Sequence, residues 1–137
     1  APGRAPQVSR VQIRRVADLA AEAERFDFNA ELTYARIAQH PSTFRGQAVR
    51  FDGLVYNVDI SNGRSVLQIL VTECPEGERC PLWVTYSAAT EAELRSRVRV
   101  LGTVAGEQQF RSQTGEVRTV PRVDATFVLP LLANQRR

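Results

Sequence analysis

The chain has 137 residues, of which 43% are apolar, 24% charged and 7% aromatic, the balance of one ordinary soluble domain. A chain of this length buries about two-thirds of its extended surface on folding, which excludes a miniprotein that needs disulfides merely to fold. No apolar stretch approaches the ~20 residues of a membrane-spanning helix, so we expect no span within this sequence.

The net charge of +3 is distributed unevenly along the chain. Phosphate affinity scales with the cations that reach a nucleic-acid backbone, so the position of each cation matters. All eighteen cations are arginine, which we attribute to genomic base composition, with selection for bidentate anion binding as the alternative. Twelve of them lie in the body, where fifteen acids outnumber them, which argues against a protein that wraps a polyanion. The six tail cations are Arg4, Arg10, Arg14, Arg15, Arg136 and Arg137.

The N-terminal residues predict a flexible lead-in followed by a helix. Residues 1–8 contain two prolines and a glycine, and the start at Ala1 without methionine indicates that an upstream segment was removed, which could carry a membrane anchor. Ser9 and Gln12 have capping-box spacing, and apolar residues repeat at helical spacing to about Phe26. The apolar face of this helix either docks onto the rest of the chain or binds a partner. We therefore expect a helix and connector over residues 9–30.

A second, shorter helix should begin after Thr33, which is a good N-cap, and end at His40, because Pro41 disfavours helix in the residue before it. His40 could serve as a general base or a ligand. No serine, cysteine or acid is patterned around it as a triad, which favours a surface histidine at a helix end. The main domain should run over residues 31–130, with a tail at 131–137.

From Gln47 the pattern changes to strands. The first runs from about Val49 to Val58, and its apolar parity slips at Gly53, which predicts a bulge that lets the strand serve two sides of a barrel. Asn62-Gly63 is the strongest hairpin signal in the sequence. Four more strands are predicted at 65–72, 82–86, 97–104 and 120–129, with a small hairpin turning at Thr114-Gly115. Between the third and fourth strands, Thr90 and Glu93 have the capping-box spacing of a short helix.

The predicted order is therefore β-β-β-short α-β-β, preceded by one or two helices. Five strands, with the first long and bent and a short helix between the third and fourth, are typical of an OB-fold barrel, an all-β fold. The main alternative is an immunoglobulin-like sandwich, which needs about seven strands and has no helix at that place.

Cys74 and Cys80 frame a short polar segment, and each is followed by proline. A zinc site needs about four ligands, and His40 is the only other soft ligand in the chain. A redox-active pair usually has two residues between its cysteines, whereas five lie between these. A structural disulfide is thus the favoured interpretation, and it implies an oxidising compartment.

Glycine-spaced and apolar positions over residues 31–129 form a moderately specific pattern. Its members are Leu32, Thr33, Tyr34, Ile37, Ala38, Pro41, Phe44, Arg45, Gly46, Gln47, Val49, Phe51, Gly53, Val55, Val84, Tyr86, Val100, Gly102, Val104, Gly106, Phe110, Ser112, Gly115, Val120 and Pro121. The pattern resembles bacterial extracytoplasmic OB-fold domains, the tRNA-anticodon-domain-like OB-folds of lipoproteins and of secreted or membrane-anchored proteins. This resemblance implies the OB-fold and a periplasmic or otherwise extracytoplasmic location, but no reaction and no RNA binding. The cysteine loop and the helix of residues 9–26 lie outside the pattern.

The leading functional hypothesis is a non-catalytic binding module of the bacterial cell envelope, with a protein, peptide or envelope polymer as its unidentified partner. OB-folds usually bind on the face of strands two and three and the adjoining loops. Trp83 is either the anchor of that face or a core residue, because Val84 and Tyr86 have the opposite parity. The candidate ligand-binding residues are Trp83, Thr85, Gln68, Asn62, Arg64, Gln109 and Arg111.

The alternative hypothesis is single-stranded nucleic-acid binding, which requires stacking aromatics beside a cationic groove. The acidic balance of the body and the small number of aromatics make nucleic acid the less favoured partner. An enzyme is not expected, since no phosphate-binding glycine loop, nucleophile elbow or metal-ligand cluster occurs, and we expect no cofactor and no metal. The arginines that could line such a groove are Arg64, Arg97, Arg99, Arg111, Arg118 and Arg122.

Overall fold

The computed structural model describes residues 19–131, which form a mostly β structure with two short helices. The lead-in, the first part of the predicted N-terminal helix and residues 132–137 lie outside the described residues. No helix in the described part is long and apolar enough to cross a membrane. The elements are α1 (residues 19–24), α2 (Tyr34–Gln39), β1 (Ala48–Ser61), β2 (Arg64–Val71), β3 (Pro81–Tyr86), β4 (Arg97–Arg111) and β5 (Val117–Pro130).

The five strands belong to one sheet that closes on itself in the order β1-β2-β3-β5-β4. Four of the ladders are antiparallel, and the β3–β5 ladder is parallel. A single five-stranded sheet differs from the two packed sheets of the sandwich alternative. Strand alternation directs one set of side chains inward, where they form a core with fully buried Val55, Leu67, Ile69, Val84 and Val100.

β1 serves two sides of this ring, because its first half pairs with β4 and its second half with β2. The two ladders overlap at Gly53, where a Cβ atom would lie 2.6 Å from the Leu70 carbonyl oxygen. The predicted bulge at Gly53 is wrong. The register shift lies between Val55 and Asn57, so Tyr56 is the bulged residue. Gly53 is instead required for the close approach of two backbones.

The short helix predicted from Thr90 and Glu93 is also wrong, because residues 87–96 form turns and irregular backbone. The Oγ1 of Thr90 accepts from the N–H of Ala92 at 3.1 Å, and the N–H of Thr90 donates to Ser65 Oγ at 2.8 Å. Arg95 has a φ of 66° and donates its N–H to the Val55 carbonyl. Short side-chain-to-backbone bonds therefore replace the first helical turn in this segment.

The second predicted helix is confirmed as α2. Thr33 is its N-cap, with Oγ1 accepting from the N–H of Arg36 at 3.3 Å, and His40 is its exposed C-cap. Ile37 is fully buried in the core, and the Tyr34 hydroxyl donates to the Pro81 carbonyl at 2.7 Å. α2 therefore covers the end of the ring where β3 begins.

The described part of the first helix docks onto the outside of the sheet. Leu19, Ala23 and Phe26 pack with Leu101 and Phe127, and the rings of Phe26 and Phe127 meet edge to face at 6.2 Å. Leu101 and Phe127 are register partners on β4 and β5. For residues 19–26, the docking interpretation of the apolar face thus agrees with the structure better than partner binding.

β4 and β5 are longer than predicted and form one extended hairpin. The structure has a register shift between Val104 and Gly106, and Gly106 has a φ of 98°. A glycine adopts this left-handed conformation without the strain that a side chain would add. Since β4 continues through the bulge to Arg111, the small separate hairpin of the prediction is the tip of this arm.

The disulfide prediction is confirmed. Cys74 and Cys80 are bonded, with their Cα atoms 5.9 Å apart, in the loop between β2 and β3. The Cys80 carbonyl accepts from the N–H of Val71 at 2.9 Å, so the loop stays next to the end of β2.

Candidate functional site

Trp83 lies on the outer surface of the ring. Its neighbours Leu82 and Val84 point into the core with at most 1% of their surfaces exposed, so strand alternation directs Trp83 outward. The indole is half-buried because it packs on Phe110 of β4, with ring centroids 5.6 Å apart and planes tilted by 35°. Trp83 is therefore a surface aromatic and not a core residue.

A second group of side chains extends this surface across β2 to β1. Gln68 is the register partner of Trp83, and its Oε1 accepts from the Tyr56 hydroxyl at 3.1 Å. Tyr56 is 39% exposed because it occupies the bulge, where the extra residue lies outside the ladder. The outward side chains Tyr56, Gln68, Trp83, Gln108, Phe110 and Arg122 are called the Trp83 face below.

The β5 side of the Trp83 face is polar and internally hydrogen-bonded. Arg122 is the register partner of Trp83, and it donates to Asp124 Oδ1 at 3.2 Å and to Gln108 Oε1 at 3.4 Å. Asp124 Oδ1 also accepts from Thr85 Oγ1 at 2.5 Å. The aromatic pair is thus bordered by a guanidinium, a carboxylate and an amide held in fixed positions.

Two further arginines give the Tyr56 end a positive potential. Burial raises the pKa of Tyr56, whereas the nearby charges of Arg118 and Arg79 lower it. Arg118 lies opposite Phe110 in the β4–β5 register. Its 3.9 Å ion pair with Glu116 is solvent-exposed, so this pair is weak. Arg79 belongs to the disulfide-closed loop. The charge of this loop residue therefore acts on Tyr56 of the Trp83 face.

The structure brings Gln68, Trp83 and Thr85 together but separates the other predicted site residues. Asn62 lies in the β1–β2 turn, where Asn62 and Gly63 have φ values of 54° and 73°. Arg64 begins β2 beside that turn, on the same face as Gln68 but four positions away. Gln109 and Arg111 alternate with Gln108 and Phe110 along a regular part of β4, so they point to the other side of the hairpin.

The sequence analysis missed Tyr56, Gln108 and Phe110 of the Trp83 face and Asp124, which borders it. The parity of the arm depends on the bulge before Gly106, and one extra residue exchanges the two faces of a strand. Gly106 is the sequence signal that could have indicated this shift. No comparable sequence signal indicates the bulge at Tyr56, because the glycine of β1, Gly53, lies three positions earlier.

Arg97 and Arg99 belong to a different part of the surface, beside the β1–β4 ladder. Arg99 donates Nε and Nη2 to the two carboxylate oxygens of Asp52 at 2.8 and 3.0 Å. The hydrogen bond to Asp52 raises the pKa of Arg99, and burial lowers it. Arg97 donates to Thr72 Oγ1 at 3.3 Å. Neither arginine makes a hydrogen bond to the Trp83 face.

Neither the search for metal-binding groups nor the comparison with known proteins gives further information about the function of this surface. Within residues 19–131, no group of three or more histidine, cysteine or acidic side chains could hold a metal ion. Comparison with protein-family models gives no match, and comparison with curated proteins gives none. The functional argument therefore depends on the geometry of the Trp83 face.

Proposed function

We propose that this chain is a non-catalytic binding module that holds an extended segment of a protein, peptide or envelope polymer on the Trp83 face. The observation that carries the proposal is the half-exposed Trp83–Phe110 pair, bordered by the polar groups of Gln68, Gln108 and Arg122. Aromatic anchors surrounded by polar residues dominate recognition surfaces. Preformed polar groups around such an anchor fix the orientation of a ligand.

We further propose that the ring is an OB-fold barrel. The long bent β1, the closed strand order and the parallel β3–β5 ladder support this assignment. In that fold the Trp83 face corresponds to the usual binding face of strands two and three, and the β4–β5 arm supplies one of its flanking loops. The N-terminal α2, rather than a helix between β3 and β4, then covers one end of the barrel.

The proposed location is the bacterial cell envelope, outside the cytoplasm. The Cys74–Cys80 disulfide supports it, because such bonds persist in oxidising compartments and are rare in the cytosol. The loop that this bond closes carries Arg79, whose charge lowers the pKa of Tyr56 on the proposed binding surface.

A second candidate ligand is single-stranded nucleic acid. The specific observation in its favour is that Arg79 and Arg118 lie near Tyr56, beside an aromatic strip on which bases could stack. We rank it second because Arg122 is engaged by Asp124 and because acids outnumber cations in the body of the chain. A ligand with fewer charges fits this balance better.

The test compares binding by the full chain with binding by Trp83→Ala. The two probes are purified bacterial peptidoglycan sacculi, followed by cosedimentation, and an oligothymidylate, followed by fluorescence anisotropy. Loss of a central aromatic anchor should weaken binding by about thirtyfold or more. Gln109→Ala is the matched control, since it lies on the other side of the hairpin and should bind as the wild type does.

The outcomes separate the candidates. Binding to sacculi that requires Trp83 supports the envelope polymer, and binding to the oligonucleotide at about 0.15 M salt that requires Trp83 supports the second candidate. If a probe binds equally well to the wild type and to Trp83→Ala, the Trp83 face is not the binding surface for that probe. Equal loss in the Gln109→Ala control would contradict the assignment in the same way.

A further inference from the structure

The first residues of β1 form an open strand edge. Pairing with β2 begins only at Gly53, so, among the described residues 19–131, no strand neighbours residues 48–52 on the side of β1 that faces away from β4. The Ala48 carbonyl on this edge accepts from the N–H of Asn29 at 2.9 Å, and the Asp52 carbonyl accepts from the N–H of Thr72 at 2.9 Å. Two backbone donors from other segments thus occupy the ends of this edge.

Arg50 lies between these two occupied positions. Backbone groups of alternate residues in a strand point to the same edge, so the N–H and the carbonyl of Arg50 point away from β4, as the carbonyls of Ala48 and Asp52 do. The Gln47 carbonyl, which accepts from the N–H of Val104, confirms this alternation. Among residues 19–131, no backbone group from the neighbouring segments bonds to the Arg50 N–H or carbonyl on this side.

A cavity of about 260 Å³ lies in front of this edge. The Arg50 guanidinium lies over the ring of Phe28, 4.8 Å from the ring centroid. The guanidinium therefore does not occupy the cavity as a hydrogen-bond donor. The Asp52 carboxylate is engaged by Arg99, and the two other charged lining residues, Arg50 and Glu73, carry opposite charges. The apolar lining residues include Phe28, Ala30, Leu32, Phe51 and Val71, and the polar ones include Asn29 and Thr72.

We propose that this cavity binds a short extended peptide segment, which pairs with Arg50 as one further strand. A hydrogen-bonded pair in an antiparallel ladder exchanges two bonds, one to the N–H and one to the carbonyl of the same residue. The edge from Ala48 to Asp52 spans roughly 13 Å, which leaves room for two or three residues. A peptide offers the required donor and acceptor at the correct spacing, and recognition by strand addition uses the same groups.

The side chains of the segment follow from the same alternation. The residue paired with Arg50 directs its side chain outward, and its neighbours along the segment direct theirs toward Phe51, Leu32 and Val71. These three walls are 5–6% exposed in the free protein and are apolar. The site is therefore selective for a peptide with an uncharged, apolar residue next to the pairing residue. It is separate from the Trp83 face and does not depend on the function proposed for that face.

The experiment uses the ¹⁵N-labelled full chain and the blocked dipeptide N-acetyl-Leu-Ala-N-methylamide. We expect weak, saturable binding, with a dissociation constant on the order of 1–10 mM, and a shift of the Arg50 amide resonance. The control peptide has methylated amide nitrogens and cannot donate hydrogen bonds, so it should not shift that resonance. The Ala30→Trp variant, which fills the cavity from its lining, should lose the response, whereas Ala89→Trp in the exposed β3–β4 loop should keep it.

The proposal would be overturned by the absence of a saturable shift at Arg50, or by an equal shift with the methylated peptide. The methylated control uses wild-type protein, so the test stands even if Ala30→Trp does not fold. Shifts confined to the Trp83 face would also overturn it and would leave the function proposed for that face intact.

Discussion

Asp52 on β1 and Arg99 on β4 are register partners joined by two parallel hydrogen bonds across the ladder. Both side chains are 33% exposed, so water screens the pair only in part. The planar guanidinium matches the two carboxylate oxygens, a fit that the point charge of lysine cannot reproduce. The pair therefore fastens the first half of β1 to β4 next to the open edge at Arg50.

We expect Arg99→Lys to lower the free energy of unfolding by about 0.5–1 kcal/mol, because one charged contact replaces two aligned bonds. Urea unfolding of the wild type and the variant measures this difference. Arg97→Lys is the matched control on the same strand, since Arg97 makes a single bond to Thr72, and it should change stability less. Equal losses in the two variants would show that the paired geometry contributes nothing.

The Tyr34 hydroxyl, which donates to the Pro81 carbonyl, leads us to expect a pH dependence of stability. Burial raises the pKa of Tyr34 to about 12 from its ordinary value of 10.0, and the nearby Tyr56 adds to the rise. The protonated hydroxyl is thus favoured in the folded state. The contribution of the protonated Tyr34 hydroxyl to the free energy of unfolding is fully present below pH 10 and is lost as the pH rises through about 12. Tyr34→Phe should lower the free energy of unfolding by about 1 kcal/mol at neutral pH.

The measurement is urea unfolding of the wild type and Tyr34→Phe at a series of pH values. The stability difference between the two proteins should shrink as the solution passes from about pH 10 toward pH 12. A difference that stays constant over this range would contradict the raised pKa of Tyr34.

The disulfide closes a small loop, and its removal should have a moderate effect. The chain-entropy model gives about 2 kcal/mol for a ring of this size, so the Cys74→Ser, Cys80→Ser double variant should lose roughly that much stability. Intact-mass measurement of the unreduced and the reduced protein shows whether the bond is present in solution. Two free thiols in freshly purified, unreduced protein would contradict both the bond and the proposed location.

Fluorescence tests the placement of Trp83 directly, because it is the only tryptophan in the chain. A half-exposed indole should be quenched in part by iodide, and Phe110→Ala should increase quenching and shift the emission to the red. Val117→Ala, at an exposed position near the tip of the same hairpin, should leave the spectrum unchanged. An indole that iodide cannot reach would be incompatible with an anchor role.

Truncation of the same residue provides a stability check. Trp83→Ala should lower the free energy of unfolding by about 1–2 kcal/mol, because the lost contact with Phe110 is only one side of a surface residue. A fully buried tryptophan would lose about 3–5 kcal/mol. Chemical denaturation distinguishes these two ranges.

The tail arginines predict weak, salt-sensitive association with nucleic acid that is independent of sequence. Six of the eighteen cations lie in the two tails, so a full chain in which these six are changed to glutamine should lose the association. Fluorescence anisotropy with an oligonucleotide at several salt concentrations measures it. Submicromolar binding that survives in this variant at about 0.15 M salt would instead favour the Trp83 face as a nucleic-acid site.

Local signals allowed much of the fold to be predicted. Thr33 capped the second helix as its side-chain chemistry predicts, Asn62-Gly63 turned the first hairpin, and the cysteine spacing identified the disulfide. In each case the determining contacts lie within a few residues along the chain. The capping signal at Thr90 failed because the N–H of Thr90 bonds to Ser65 on β2, a residue distant in sequence.

The candidate site was predicted only in part, because its assembly depends on strand register. Trp83 and Gln68 were predicted because strands two and three form the usual binding face of an OB-fold, but the apolar pattern left both an anchor and a core role open for Trp83. Phe110 was missed because the fourth strand was predicted to end at residue 104, whereas β4 continues to Arg111 through a bulge before Gly106 that directs Phe110 outward. Bulges depend on backbone pairing between strands distant in sequence, which a local pattern does not record.

The parallel ladder between β3 and β5 has a consequence for how the ring opens. It is the shortest of the five ladders, joining residues 83–86 to residues 122–125, and parallel pairing is slightly less stable per residue than antiparallel pairing. The β3–β5 ladder is therefore where the ring should separate first, and amide hydrogen exchange should be faster there than along the β4–β5 arm. Trp83 and Arg122 face each other across it. A ligand that contacted both residues would stabilise the β3–β5 ladder and so oppose opening of the ring at its least stable ladder.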